Sequence, residues 1–446
     1  MSVPTTNAPH ASAGPSAAGG EAAAAPDGST TPNGTAPNGP DTQNSPAAPH
    51  GASLDPDDAV VQLLTPAGER VDHPVYGPLV DELTPDTLRT MYRDMVLTRA
   101  FDAEATLLQR QGELGLWASS LGQEGIQIGS AHAQRPADMV FPSYREHGVA
   151  HVRGLPLTDL LPVMRGTRHG GWDPRAHNFQ VQTFVIAAHT LHAVGFAMGI
   201  QRDGDVGTGT DRDRAVVVYH GDGATSQGDF NESLVFAASA QAPVVLICQN
   251  NSWAISVPTR VQSRVPIARR GPGVGIPAVR VDGNDVLASY AATTEALRRA
   301  RAGEGPTLVE AVTYRMGAHT TSDDPTRYRE RAEEEEWRAK DPIDRLRAHL
   351  LATGLADDAF LAAVTADAEA LARETRAACL ADRAGRPEEM FDHVHALPHA
   401  QVEADRAAMS AFEAGFADAD TADTAGTTGN TTADTTGTTA YAQEAR

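Results

Sequence analysis

Three short apolar runs constrain this chain more than any other feature: 215–219 (AVVVY), 243–248 (PVVLIC) and 307–314 (TLVEAVTY). They hardly alternate polar with apolar residues. Each is therefore expected to be covered on both faces, as a parallel strand is between helical layers. The stretches 187–199, before the first run, and 231–240, between the first two, read as helices. The fold class that follows is α/β, a parallel sheet flanked by helices. Every run stops in polar or glycine-rich sequence: GDGATS, QNNSWA and RMGAHTTSDD. Such sheets bind ligands in the crevice beyond the carboxyl ends of their strands. If the three strands are neighbours, their ends converge on one site.

The segment 86–109 reads as a helix, with Thr84 as N-cap and Pro85 at the first position. Leu88, Met91, Tyr92, Met95 and Val96 recur along it at helical spacing as a core face. Segments 344–351, 359–380 and 388–393 read as further helices, and the glutamate run 333–336 as the solvated start of another. Both ends are low-complexity: 1–53 is mostly Ala, Pro, Gly, Ser, Thr and Asn, and the tail from 419 repeats Thr, Ala, Asp and Gly. Such sequence buries too little apolar surface to offset its conformational entropy, so disorder is expected there. The domain organisation read from this is an N-terminal extension (1–53), one folded domain (54–400), then a short helix and low-complexity tail (401–446).

Lys and Arg total 36 against 58 Asp and Glu, a net charge of −22, which argues against nucleic acid and anionic membranes. No apolar run reaches the roughly 20 residues of a membrane helix. The start lacks the basic-then-apolar pattern of a secretory signal. Cys248 and Cys379 make no metal spacing and are expected as reduced thiols of a cytoplasmic protein.

Asp-Gly alone is ordinary turn chemistry. Here Gly221-Asp222-Gly223 ends one strand, a helix follows, and Asn250-Asn251 ends the next, 29 positions from Asp222 to Asn251. That is the length of one βαβ unit. A carboxylate and an amide oxygen at neighbouring strand ends suit Mg²⁺, which also takes phosphate oxygens and water. Gly223 and Ala224 lack bulk, so a diphosphate can approach their N–H groups.

GDG, a helix, then NN resembles the thiamine diphosphate motif. The resemblance widens with FPSYRE (141–146), GDGATSQGDFNE, QNNSWAIS and TYRMGAHTTSDDPTRYR, which occur in family order. From about 60 to 395 the chain is similar to the alpha subunit of the thiamine-dependent decarboxylase component of 2-oxo acid dehydrogenases. The resemblance implies thiamine diphosphate and Mg²⁺ as cofactors, with Asp222, Asn251 and the Trp253 carbonyl as metal ligands. Tyr144 and Arg145 would contact the diphosphate, where a planar guanidinium suits phosphate. Ile186 would prop the bent cofactor. Ser143, Phe184, Gly221, Gly223, Ala224, Gln249, Arg315 and His319 complete the implied cofactor-binding set, to which Asp222 and Asn251 also belong. Gln249 stands where branched-chain members can carry Arg. His319 matches the active-site histidine, and Thr320 the position of a regulatory serine in mitochondrial relatives. Ala188 and His189 replace the family's small residue and Gln, in a segment where some members bind K⁺.

The family's activating glutamate comes from a beta subunit, so the resemblance implies an alpha2-beta2 heterotetramer and a lipoyl-bearing acyltransferase partner. Residues 111–117 (QGELGLW) and 190–195 (TLHAVG) look more like bacterial branched-chain members than pyruvate members. Pyruvate, an acetoin-cleaving enzyme and a non-catalytic cofactor-binding subunit stay open as alternatives.

Overall fold

The computed structural model describes residues 59–416 apart from His169 and His393. The disorder expected at 1–53 and in the tail from 419 lies outside the described residues.

Five parallel strands form the sheet: β1 (Met139–Phe141), β2 (Val216–Gly221), β3 (Val244–Asn250), β4 (Ala278–Asp282) and β5 (Thr307–Val312). Their order across the sheet is β1-β2-β3-β5-β4. The three expected strands are thus neighbours, paired Val216 to Val244 and Val245 to Thr307. Being parallel, they end on the same edge of the sheet.

The longer helices are α1 (Pro85–Arg110), α2 (Glu124–His132), α3 (Ala188–Arg202), α4 (Gly228–Ala240), α5 (Val286–Arg301), α6 (Pro342–Ala352), α7 (Asp358–Ala381) and α8 (Ala400–Ala414). Side chains alternate across the sheet even though the strands read as continuously apolar. Val217, Tyr219, Val245, Ile247 and Val309 face Phe101 and Ala105 of α1 and Ala296 and Leu297 of α5. Val216, Val218, Val244 and Leu246 face Val194 and Ala197 of α3 and Phe230 and Leu234 of α4. Truncating one such side chain, Leu234→Ala for example, costs about 2–5 kcal/mol. A third cluster joins α1, α5, α6 and α7 around Met91, Met95, Leu287 and Leu346.

The reading of 86–109 holds: Thr84 Oγ1 accepts the N–H of Thr87 at 3.1 Å, with Pro85 in the first turn. The expected 388–393 helix is instead a 3-10 turn over Pro387–Phe391. The sequence reading missed β1 and β4. The first is three residues long, and the second is an edge strand whose Arg280 meets Glu310 of β5 at 3.2 Å. A short run and a half-polar run each fall below the apolar pattern that marked the others. Among the described residues no helix is long and apolar enough to cross a membrane.

Candidate active site

Four of the five strand ends open into one cavity of about 250 Å³. Ser143, Tyr144 and Arg145 follow β1. Asp222, Gly223 and Ala224 follow β2. Gln249 and Asn251 lie at the end of β3, and Arg315 and His319 follow β5.

The turn after β2 is a 3-10 segment, Asp222–Ser226, held by the Thr225 hydroxyl donating to the Asp222 carbonyl at 2.7 Å. Asp222 is buried. Its Oδ2 accepts from Thr259 Oγ1 at 2.8 Å and Gln262 Nε2 at 3.0 Å. Burial raises its pKa, and these two donors oppose the rise. The small size of Gly223 has a packing reason beside the expected one. A Cβ there would sit 2.8 Å from the Ala254 Cβ, so the glycine lets the turn pack on the hairpin formed by Trp253–Ala254 and Val257–Pro258.

That hairpin carries backbone strain beside the site. Ser252 and Ile255 have φ of 72° and 52°. A β-branched residue is rare in this region, and each such conformation costs about 1–3 kcal/mol. Fully buried Arg315 holds the loop by donating to the carbonyls of Trp253 at 2.7 Å and Ile255 at 2.9 Å. Burial and the nearby Arg145 push its pKa down to about 10. Asn251 Nδ2 donates to Gln123 Oε1 at 3.1 Å, which leaves the amide oxygen, 3.3 Å from the Trp253 N–H, as the atom that could face a cation.

Arg145 is buried. Its guanidinium donates to the carbonyls of Ser119 and, at 2.9 Å, His319. Its Nη2 also stands 3.4 Å from His319 Nδ1. Burial, then Arg145 and Arg315, push the His319 pKa down to about 3, so the imidazole is neutral at pH 7. With a donor on Nδ1, the ring's proton belongs on Nε2. Asp323 Oδ2 fixes the loop by accepting the His319 N–H at 2.8 Å. Tyr144 stacks on Phe184 at 5.8 Å and meets His319 edge-on at 6.4 Å.

A family description matches residues 92–388: dehydrogenase E1 component. The chain belongs to the dehydrogenase E1 component family. This E1 chain is 44% identical over 368 residues to the 3-methyl-2-oxobutanoate dehydrogenase subunit alpha of Mycobacterium tuberculosis, covering 81% of this chain and 96% of that one. It is also 41% identical over 298 residues to the pyruvate dehydrogenase E1 component subunit alpha of Staphylococcus epidermidis, covering 66% of this chain and 78% of the relative. The same figures hold for the Staphylococcus aureus protein of that name.

Of the cofactor, metal and catalytic residues named from the E1 sequence, all but Phe184 line the cavity, and Phe184 reaches it through Tyr144. Gln249 lines it with both ends of its amide engaged by Glu146 and Gln127. The sequence reading assigned no role to Gln123, Glu146, Gln227 or His220, which also line it. Glu146 and Gln227 lay in quoted motifs; Gln123 and His220 carried no signal, because a lone Gln or His is usually structural. His189 marked a departure from the family pattern. Its Nε2 donates to the Tyr219 carbonyl at 2.6 Å and ties α3 to the end of β2. Burial lowers its pKa.

Among the described residues no three His, Cys, Asp or Glu side chains gather as a metal cluster. The oxygens that could hold a cation here are of mixed type: the Asp222 carboxylate, the Asn251 amide oxygen and the Trp253 carbonyl. The groups lining the cavity include two buried donor atoms without a protein partner, Gln123 Nε2 and Arg315 Nε. Buried donors beside hard oxygen ligands fit an anion bound through Mg²⁺.

Proposed function

We propose that this chain is the alpha subunit of a branched-chain 2-oxo acid dehydrogenase E1 component, binding thiamine diphosphate through Mg²⁺. The observation that carries this reading is the convergence of Asp222, Asn251, Arg145 and His319 from four strand ends on one cavity. The 44% identity over nearly the whole of the 3-methyl-2-oxobutanoate relative supports the branched-chain substrate over pyruvate.

Thiamine diphosphate supplies the nucleophilic carbon and the electron sink that let a 2-oxo acid lose CO₂. The protein's part is to bind, orient and move protons. Asp222, the Asn251 amide oxygen and the Trp253 carbonyl would hold Mg²⁺, with phosphate and water oxygens completing its octahedron. Arg145, with planar paired donors, and the Tyr144 ring beside it would take the diphosphate. Ile186 would support the cofactor from the wall. Neutral His319 would offer its Nε2 proton to a developing oxygen charge and take it back.

Among the described residues the carboxylates lining the cavity are Asp222 and Glu146, both engaged by protein donors. As the family resemblance implies, the carboxylate that activates the cofactor is assigned to a beta subunit, in an alpha2-beta2 assembly that passes the acyl group to a lipoyl-bearing acyltransferase. Apolar side chains exposed on the lining segments support a covering partner: Phe184 at 46%, Val185 at 70% and Ile255 at 52% exposure. Exposed apolar surface of this kind marks interaction sites.

The test is calorimetric titration of the co-expressed alpha–beta assembly with thiamine diphosphate and Mg²⁺. Asp222→Asn is expected to weaken binding by about two orders of magnitude, since a buried charged ligand is lost. Unchanged affinity would overturn the metal assignment. Turnover of 3-methyl-2-oxobutanoate above pyruvate is expected in the reconstituted complex, and a clear preference for pyruvate would replace the substrate.

A further inference from the structure

Gln249 faces the cavity beside the expected diphosphate position, which suggests a direct contact. Its hydrogen bonds argue otherwise. Nε2 donates to Glu146 Oε1 at 2.6 Å, and Oε1 accepts from Gln127 Nε2 at 3.1 Å. Both ends of the amide are taken. Glu146 is buried and is held by neutral donors: Ser143 Oγ at 2.9 and 3.0 Å, the Arg145 N–H at 3.2 Å, and Gln249. Fully buried Gln127 also donates to the Arg145 carbonyl at 3.0 Å and accepts the Gly148 N–H at 2.9 Å. Three side chains from α2, β3 and the segment after β1 thus fix the backbone on both sides of Arg145.

We infer that Glu146, Gln249 and Gln127 form a positioning relay that sets the Tyr144-Arg145 clamp, so that Gln249 governs diphosphate affinity through Arg145 and not by touching phosphate. This rests on the thiamine diphosphate reading above. The physical reason is the cost of leaving a buried carboxylate or amide unpaired, which drives the loop to shift. Gln127 is decisive, because it does not line the cavity.

The relay can be reversed with each residue keeping a hydrogen bond to its partner. In the double variant Glu146→Gln with Gln249→Glu, the amide introduced at position 146 accepts from Ser143 and the Arg145 N–H. Its NH₂ group then donates to the carboxylate introduced at position 249, which still accepts from Gln127. A carboxylate at 249 would repel a diphosphate in direct contact with that position.

The experiment is cofactor titration by calorimetry on the co-expressed assembly, with turnover at saturating cofactor measured alongside. Gln249→Ala and Gln127→Leu are each expected to weaken thiamine diphosphate by about tenfold, and Gln127→Leu, which lies outside the cavity lining, to keep saturated turnover within about twofold. Gln249→Glu alone is expected to weaken it further, and the swapped pair to restore it to within about threefold of wild type. A swap as weak as Gln249→Glu, or full affinity in Gln127→Leu, would overturn the relay. Should Gln249→Ala not fold, Gln127→Leu and the swap still decide. Loss of cofactor binding in Asp222→Asn separates this question from the cofactor reading itself.

Discussion

The floor of the cavity and its mouth are built on different terms. On the floor, Asp222, Asn251, Glu146 and Gln249 are buried, and the hydrogen bonds of each are made within the chain. At the mouth, Phe184, Val185 and Ile255 expose apolar surface, and Ile255 does so with a strained backbone. Polar groups in low dielectric must be paired inside the protein that folds them, whereas apolar groups at an edge can wait for another surface. The difference teaches how the proposed division of labour would work: this chain would supply the anion- and metal-binding end, and a partner would complete the rest of the site.

The comparison breaks most sharply at His319, which joins floor to mouth through Arg145. His319→Asn is expected to lower turnover of the full complex by about 10²–10⁴-fold while cofactor affinity stays near wild type. Steady-state kinetics and titration together check this; normal turnover would remove His319 from the chemistry. Next in size is the mouth. Phe184→Ser with Val185→Asp should weaken association with the beta subunit by about 30-fold, the loss of an interface anchor of about 2 kcal/mol. Sedimentation of the mixed subunits would show it, and unaltered assembly would place the interface elsewhere.

The smallest effect is a pH slope. The pKa of folded His319 lies near 3, below the ordinary 6.5. Between those values the unfolded chain binds a proton that the folded chain refuses, so stability rises with pH through this window. Wild type should therefore lose more stability than His319→Asn on going from pH 7 to pH 5. Urea unfolding midpoints at the two pH values measure the difference, and parallel slopes would show that His319 titrates normally.

Much of the floor was legible from residue type and order. The GDG turn and the Asn-Asn pair sit at the ends of apolar runs, and strand neighbours bring such ends together. The packing reason for Gly223 was not legible, because the Ala254 Cβ that a side chain there would meet belongs to another turn. Nor was the role of Glu146, whose donors come from residues 143, 145 and 249.

By itself the sequence determined the strand-forming runs, the helix caps and the chemical types at the strand ends, because local propensity and periodicity act over a few residues. The tertiary structure decided which groups are already paired. It turned Gln249 toward Glu146, put Arg315 on the Trp253 carbonyl and made His319 neutral. Hydrogen-bond partners and burial depend on residues far apart in the chain, and only packing brings those together.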